Sequence, residues 1–243
     1  MSIVVGTEKK IVFLNVHKPV PVAQATVNVV GVFSVKKTVT EQKINKIEDV
    51  IGLNSDDEAY KILQAVFNAG AQEVLVYGKE VQGSKYKEFF DEVKNDWFGT
   101  VVDTTDIAEI AKISKEIGAR RKMLFAEVSK DEAVMNVDNK VKAIGEDTTA
   151  LFFSKNDETV AGAVAGYTIS KFPGSTLIAN KLINGTIDSG MVGAEQSKLD
   201  TLNCNYIASM KGQLGLANGV TVVGSSIDFG GYLKAVFQVA FIS

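Results

Sequence analysis

The chain has 243 residues, of which 46% are hydrophobic and 23% are charged, and its formal net charge is −3 at pH 7. This length and composition are typical of a globular protein that buries a sizeable core. The slight negative charge argues against a general nucleic-acid binder, which would present a strongly basic face, so no nucleic-acid partner is expected.

The cysteine content and the hydropathy of the sequence bear on the redox compartment of the protein and on membrane insertion. Cys204 is the only cysteine, so no disulfide can form within the chain, as suits a reducing compartment or an assembly that needs no disulfides. No apolar run reaches the length that spans a membrane, and the N-terminus lacks the pattern of a signal peptide. We therefore expect no membrane insertion.

Residues 1–25 predict an extended β segment. Two short apolar runs, Ile3–Val5 and Ile11–Val16, flank a polar turn, and Pro19 and Pro21 keep the following backbone extended. Such a segment is either an edge hairpin of the main domain or an arm that adds a strand to a neighbouring subunit.

Strands and helices alternate between residues 26 and 172. Thr26–Ser34 predicts the first buried strand, and Val35–Lys46 predicts a polar loop. Asp56–Gly70 carries apolar residues at helical spacing, with acidic residues at its start and glycine at its end, and Phe67 is expected to be buried. The later strands are predicted at Glu73–Tyr77, Gly99–Val102, Met123–Glu127 and Thr149–Phe153, and the later helices at Lys85–Asn95, Ile107–Ile117, Asp131–Ile144 and Glu158–Ser170.

Helices between short buried strands imply crossover connections and a mainly parallel sheet that is covered on both faces. The predicted fold class is therefore α/β, with a three-layer α/β/α domain over residues 26–172.

The composition changes after Phe172–Gly174, where glycine becomes frequent. Ala194–Leu202 predicts a helix, and strands are expected at Tyr206–Met210, Val220–Gly224 and Ala235–Ile242. We interpret residues 173–243 as a smaller, Gly-rich α+β subdomain that follows the 1–25 segment and the 26–172 domain.

One loop is a candidate for enzymatic chemistry. Asp103–Asp106 (DTTD) places two carboxylates and two hydroxyls at the carboxyl end of a predicted parallel strand, where open α/β sheets bind ligands. The alternative is that Thr105 or Asp106 caps the next helix while Asp103 holds the turn. We favour the alternative, since the chain has no phosphate-binding glycine loop and its single histidine, His17, lies between the apolar N-terminal run and the prolines. No catalytic residue, cofactor or metal is expected.

Several short motifs run through the chain in a fixed order. They are Phe67–Tyr77 (FNAGAQEVLVY), Ala163–Thr168 (AVAGYT), Phe172–Ser175 (FPGS), Lys181–Gly185 (KLING), Leu199–Ile207 (LDTLNCNYI), Ser226–Phe229 (SIDF) and Tyr232–Lys234 (YLK). Over roughly Val30–Leu233 this order resembles the contractile phage tail sheath family. Two motifs depart from the family pattern: KLING has longer spacing, and Tyr232–Leu233 stands where the family usually has Trp-Leu.

The resemblance implies a structural role and no catalysis. Sheath subunits stack as rings around a tail tube and contract to drive the tube into a host cell, so the implied partners are other copies of the chain and a tail tube protein. The implied location is the virion tail, after synthesis in the cytoplasm of a bacterial host. Family members usually continue well beyond the last motif, whereas this chain ends at Ser243, so we expect either a compact relative or a missing C-terminal part.

The resemblance also implies that terminal arms join neighbouring subunits by strand addition. The expected subunit-interface residues are apolar and lie in the two terminal β-prone runs: Ile11, Val12, Phe13, Leu14, Val16, Val236, Phe237, Val239 and Phe241. Two other functions stay open from the sequence: a cytosolic α/β enzyme that uses the Asp103–Asp106 loop, and an adaptor protein of a non-contractile tail.

Overall fold

The computed structural model describes residues 28–129, 140–155, 159–171, 178–210, 212–225 and 227. The strands in these ranges are β1 (Val30–Ser34), β2 (Val39–Ile44), β3 (Val74–Gly78), β4 (Gly99–Val102), β5 (Met123–Glu127), β6 (Thr149–Phe152), β7 (Cys204–Met210) and β8 (Gln213–Ala217). The α-helices are α1 (Glu58–Asn68), α2 (Tyr86–Asp91), α3 (Ile107–Ala119), α4 (Val160–Ile169) and α5 (Gly193–Thr201).

The strands form an eight-stranded sheet in the order β2-β3-β1-β4-β5-β6-β7-β8. Every pairing from β3 to β7 is parallel, and the edge strands β2 and β8 run antiparallel to their neighbours. Val30 of β1 pairs with Val74 of β3 on one side and Gly99 of β4 on the other. The strand order therefore reverses at β1, which makes the gap between β1 and β4 a topological switch point.

Side chains alternate between two cores, one on each face of the sheet. In β1, Phe33 joins the core under α2, α3 and α5, whereas Val30 and Val32 join the core under α1 and α4. This period of two is what a strand that is buried on both faces requires. The predicted three-layer α/β/α architecture with a mainly parallel sheet is confirmed.

Small residues bring α1 and α4 into close contact. An added Cβ at Gly166 would collide with the carbonyl oxygen of Val66, and one at Gly162 would lie 3.1 Å from the carbonyl oxygen of Ile62. All residues of α4 except Tyr167 and Thr168 are buried, so the helix is enclosed by the sheet and α1. Glycine at these positions allows the two helix backbones to approach.

Three details differ from the sequence prediction. Val35–Lys46 contains the edge strand β2, whose Val39 and Ile44 are buried while the residues between them are exposed or half-buried. The strand predicted at Val220–Gly224 is wrong: these residues form a single bridge followed by a turn, and the strand lies earlier, at β8. Phe67 is only half-buried, because Leu63 and Val66 take the positions that face the sheet.

The C-terminal strands continue the main sheet. Cys204 and Asn205 of β7 pair with Leu151 and Phe152 of β6, and β8 then pairs with β7. The division of the chain at residue 173 remains a prediction, since residues 172–177 lie outside the described ranges.

The predicted N-terminal segment and the predicted interface residues also lie outside the described residues. This applies to residues 1–25 with Ile11, Val12, Phe13, Leu14 and Val16, and to residues 235–242 with Val236, Phe237, Val239 and Phe241. Most of the predicted helix at Asp131–Ile144 lies outside them too, and residues 140–143 form a single 3-10 turn.

Candidate functional site

A cleft of about 840 Å³ opens at the carboxyl edge of the sheet, beside the switch point. Its walls come from the ends of β4, β5 and β6 and from the first turns of α1 and α4. The ionisable side chains that line it are Lys36, Glu58, Lys61, Asp103, Glu127 and Lys155. Asp103, Thr104 and Thr105 of the predicted loop line the cleft, in the place where doubly wound sheets bind ligands.

Asp103 ties the end of β4 to the end of β1. Its Oδ2 accepts a hydrogen bond from Ser34 Oγ at 2.5 Å, and its Oδ1 accepts one from the backbone N–H of Val35 at 2.8 Å. Burial raises the pKa of Asp103, while these two hydrogen bonds and the charge of Lys36 oppose the rise. Both carboxylate oxygens are thus engaged in joining the two strands at the switch point, as predicted for a residue that holds the turn.

The rest of the loop fixes the start of α3. Asp106 Oδ1 accepts hydrogen bonds from the backbone N–H groups of Ala108 at 2.7 Å and Glu109 at 3.2 Å, so its predicted capping role is confirmed. Thr104 is buried and donates its hydroxyl proton to Glu109 Oε2 at 2.5 Å. The polar groups of this loop are therefore used to hold the local structure together.

Glu127 caps α4 from across the cleft. Its carboxylate accepts hydrogen bonds from the backbone N–H groups of Val160 at 3.2 Å and Ala161 at 2.9 Å. Unpaired N–H groups at a helix N-terminus attract anions, and here the end of β5 supplies the negative charge. Sequence patterns do not reveal this role of Glu127, because 33 residues separate it from Val160 and no local pattern connects them.

Two of the three lysines that line the cleft form ion pairs with carboxylates. Lys61 Nζ lies 2.9 Å from Glu58 Oε1, and Lys155 Nζ lies 2.5 Å from Glu195 Oε2. The described residues contain no cluster of three His, Cys, Asp or Glu side chains that could hold a metal ion. Cys204 is fully buried, and this burial raises the pKa of its thiol.

No family model and no curated protein matches the sequence. Among solved structures, the chain is similar to a cryo-EM structure of the helical sheath of the anti-feeding prophage in its contracted state. The fold is sheath-like. The similarity has a TM-score of 0.58 at 15% sequence identity, and it covers 96% of this chain and 76% of the prophage chain. At this identity the likeness concerns the fold.

Part of the motif Leu199–Ile207 has a structural explanation in this sheath-like fold. Asn205 is fully buried, and its Nδ2 donates to the carbonyl oxygens of Leu151 at 2.9 Å and Val220 at 2.7 Å, while its Oδ1 accepts from Val220 N–H at 2.9 Å. Asn203 adopts a left-handed conformation with φ of 52° and donates to the carbonyl oxygen of Val222. The two asparagines attach the turn after β8 to β6 and β7.

Helices in the described part of the chain fall short of the length and hydropathy that crossing a membrane requires.

Proposed function

We propose that this chain is a structural subunit of a contractile tail sheath, in a phage or a related contractile particle. The observation that carries the proposal is the similarity of fold to a helical sheath across 96% of the chain. The order of motifs from Phe67 to Lys234 also supports it, because that order is a property of the sequence and does not depend on the fold. In this role copies of the chain assemble around a tail tube in the virion tail and contract to drive the tube into a cell.

The described body suits a subunit that moves as a rigid unit. Its sheet has helices on both faces and two separate buried cores, so the body resists deformation. Movement between stacked copies then occurs by rotation of whole bodies against one another. Connections that stay intact during such rotation must be made by flexible or extended segments outside the sheet.

Neighbouring loops form hydrogen bonds with both edge strands of the sheet. At β2, the side-chain amide of Gln42 donates to the carbonyl oxygen of Ile51 at 2.8 Å and accepts from its N–H at 3.0 Å. At β8, the carbonyl oxygen of Leu216 accepts a hydrogen bond from the N–H of Asn180 at 2.9 Å, and the N–H of Leu216 donates one to the carbonyl oxygen of Lys181 at 3.1 Å. An edge protected in this way discourages unplanned strand pairing. We therefore assign strand exchange between copies to residues 1–25 and 235–242.

The cleft at the carboxyl edge of the sheet raises a second candidate function, an α/β enzyme that acts at the Asp103–Asp106 loop. Its volume and its place at the switch point favour a ligand site. We propose a non-enzymatic role, because Asp103, Asp106 and Glu127 direct their carboxylates to backbone N–H groups and a neighbouring hydroxyl of the fold.

Electron microscopy of the purified full chain tests the proposed function. We expect rings or tubes, with tube length increasing with protein concentration. A variant that lacks residues 1–18 should keep its circular dichroism spectrum and lose the assemblies, as size-exclusion chromatography would show. A chain that stays monomeric at every concentration and in the presence of a tail tube protein contradicts the proposal, and a single closed ring that never stacks favours the adaptor function instead.

A further inference from the structure

Lys122 is a lysine inside the protein. It directly precedes β5, and only 5% of its surface is exposed. Its Nζ lies 3.9 Å from the centroid of the Trp97 ring and donates a hydrogen bond to the backbone carbonyl oxygen of Trp97. An ammonium group has three donors, so one carbonyl and one aromatic face satisfy it incompletely.

Asp96, which directly precedes Trp97, has a buried carboxylate oxygen that lacks a hydrogen-bond donor in the described part of the chain. Its Oδ2 pairs with Lys43 Nζ of β2 at 2.7 Å, whereas its Oδ1 is buried without a hydrogen-bond donor among the described residues. A buried acceptor without a donor is unfavourable, because it loses its hydrogen bonds to water on folding and gains none in return. A buried amine with unused donors and a buried carboxylate oxygen without a donor therefore lie next to the same tryptophan.

We propose that Lys122 and Asp96 form a proton-operated latch at the amino-terminal edge of the sheet. A neutral amine has two N–H donors, which the carbonyl oxygen and the ring face of Trp97 satisfy in the described geometry. When the amine takes a proton from solvent, the ammonium turns towards Asp96 Oδ1 and ties the start of β5 to the turn before β4. The same carboxylate holds β2 through Lys43, so one proton changes how firmly three parts of this edge are joined. The proposal is independent of the sheath assignment.

The electrostatic surroundings place the titration of this amine near neutral pH. Burial above all, with a smaller contribution from the charge of Arg120, lowers the pKa of Lys122 to about 7 against the opposing charge of Asp96. The other charged groups around the pair are Asp91 and Glu116, which bind Arg120 at the end of α3, Lys43 in β2, and Glu73, which lies 3.6 Å from Lys43.

The intrinsic fluorescence of the protein reports this latch directly, because Trp97 is the only tryptophan in the chain. Emission of the purified full chain should be titrated from about pH 5 to about pH 9, the range that brackets the expected transition. We expect a one-proton transition near pH 7 that disappears in Lys122→Met. In Asp96→Asn the midpoint should move to lower pH, because the charged amine loses the carboxylate that stabilises it.

His17 supplies the matched control, since it is the only histidine and the unperturbed pKa of a histidine side chain lies in the same range. His17→Gln should leave the transition in place. The latch is wrong if the wild type shows no transition, if Lys122→Met retains it, or if His17→Gln removes it. Where circular dichroism shows that Lys122→Met does not fold, Asp96→Asn decides the matter: a lowered midpoint supports the latch, and an unchanged one overturns it.

Discussion

Gly166 in α4 lies so close to the carbonyl oxygen of Val66 in α1 that no side chain fits between them. Gly166→Ala should therefore force the two helices apart and lower the free energy of unfolding by roughly 1–3 kcal/mol or more, the range for overpacking a filled core. Chemical denaturation monitored by circular dichroism measures the change.

Gly193→Ala is the matched control for this substitution. Gly193 is the first residue of α5, and an added Cβ there meets no atom within 4 Å. Its effect should stay within about 0.5 kcal/mol. Equal effects of the two substitutions would mean that the approach of α1 and α4 does not depend on the missing side chain.

The hydrogen bonds of Asp103 predict a sharp difference between two substitutions. Asp103→Ala leaves Ser34 Oγ and the N–H of Val35 without their acceptor, which should destabilise the fold by about 1–3 kcal/mol. Asp103→Asn keeps the shape and can still accept from Val35 N–H while its amide donates to Ser34 Oγ, so the loss should be smaller. Thermal unfolding of both variants checks the order. A larger loss in Asp103→Asn than in Asp103→Ala would contradict this account, because both variants lack the negative charge and only Asp103→Asn can keep the two hydrogen bonds.

Lys122 also predicts the pH dependence of stability. Its pKa is lowered from 10.5 to about 7 in the folded protein, so between these values the unfolded chain binds more protons than the folded one. The free energy of unfolding should therefore rise with pH from about 7 to about 10. Urea titrations of the wild type and Lys122→Met at several pH values isolate this contribution, because every other titrating group is shared. Parallel curves for the two proteins would contradict it.

The two hydrogen bonds from the Gln42 side chain to Ile51 lead to a prediction about association through the β2 edge. Gln42→Val removes both hydrogen bonds to Ile51 and adds a β-branched residue, so it should cost up to about 1 kcal/mol and increase concentration-dependent association. Thr40→Val, at an exposed position of β2, is the control, since Gln42 and its two hydrogen bonds to Ile51 stay in place. Light scattering at matched concentrations compares the association of the two variants. Equal association would show that the Gln42 amide does not limit pairing at the β2 edge.

The elements that sequence reasoning found are those whose own residues carry the signal. The central strands β4 and β5 were predicted with their observed bounds, because each is a short apolar run between a loop and a capped helix. β2 was missed because an edge strand buries only its ends, Val39 and Ile44, and its middle has the composition of a loop. β8 was missed because it contains Gly215, which reads as a breaker in sequence but lies against the backbone of Asn180 in the structure.

The candidate site was predictable to the same degree. The position of Asp103–Asp106 at the carboxyl end of a parallel strand follows from local sequence and topology, and so does the capping role of Asp106. The contacts that give the site its character are between residues distant in sequence, such as Asp103 with Ser34 and Glu127 with Val160. No periodicity or spacing reveals such pairs, because the fold alone brings them together.

Glu127 gives the α4 terminus a counter-charge from within the chain. Where a helix N-terminus binds an anion from solution, its occupancy depends on the concentration of that anion. The counter-charge of α4 comes from Glu127 and is therefore present whenever the chain is folded. The local geometry at this end of the cleft should therefore be the same whether the surroundings are rich or poor in phosphate.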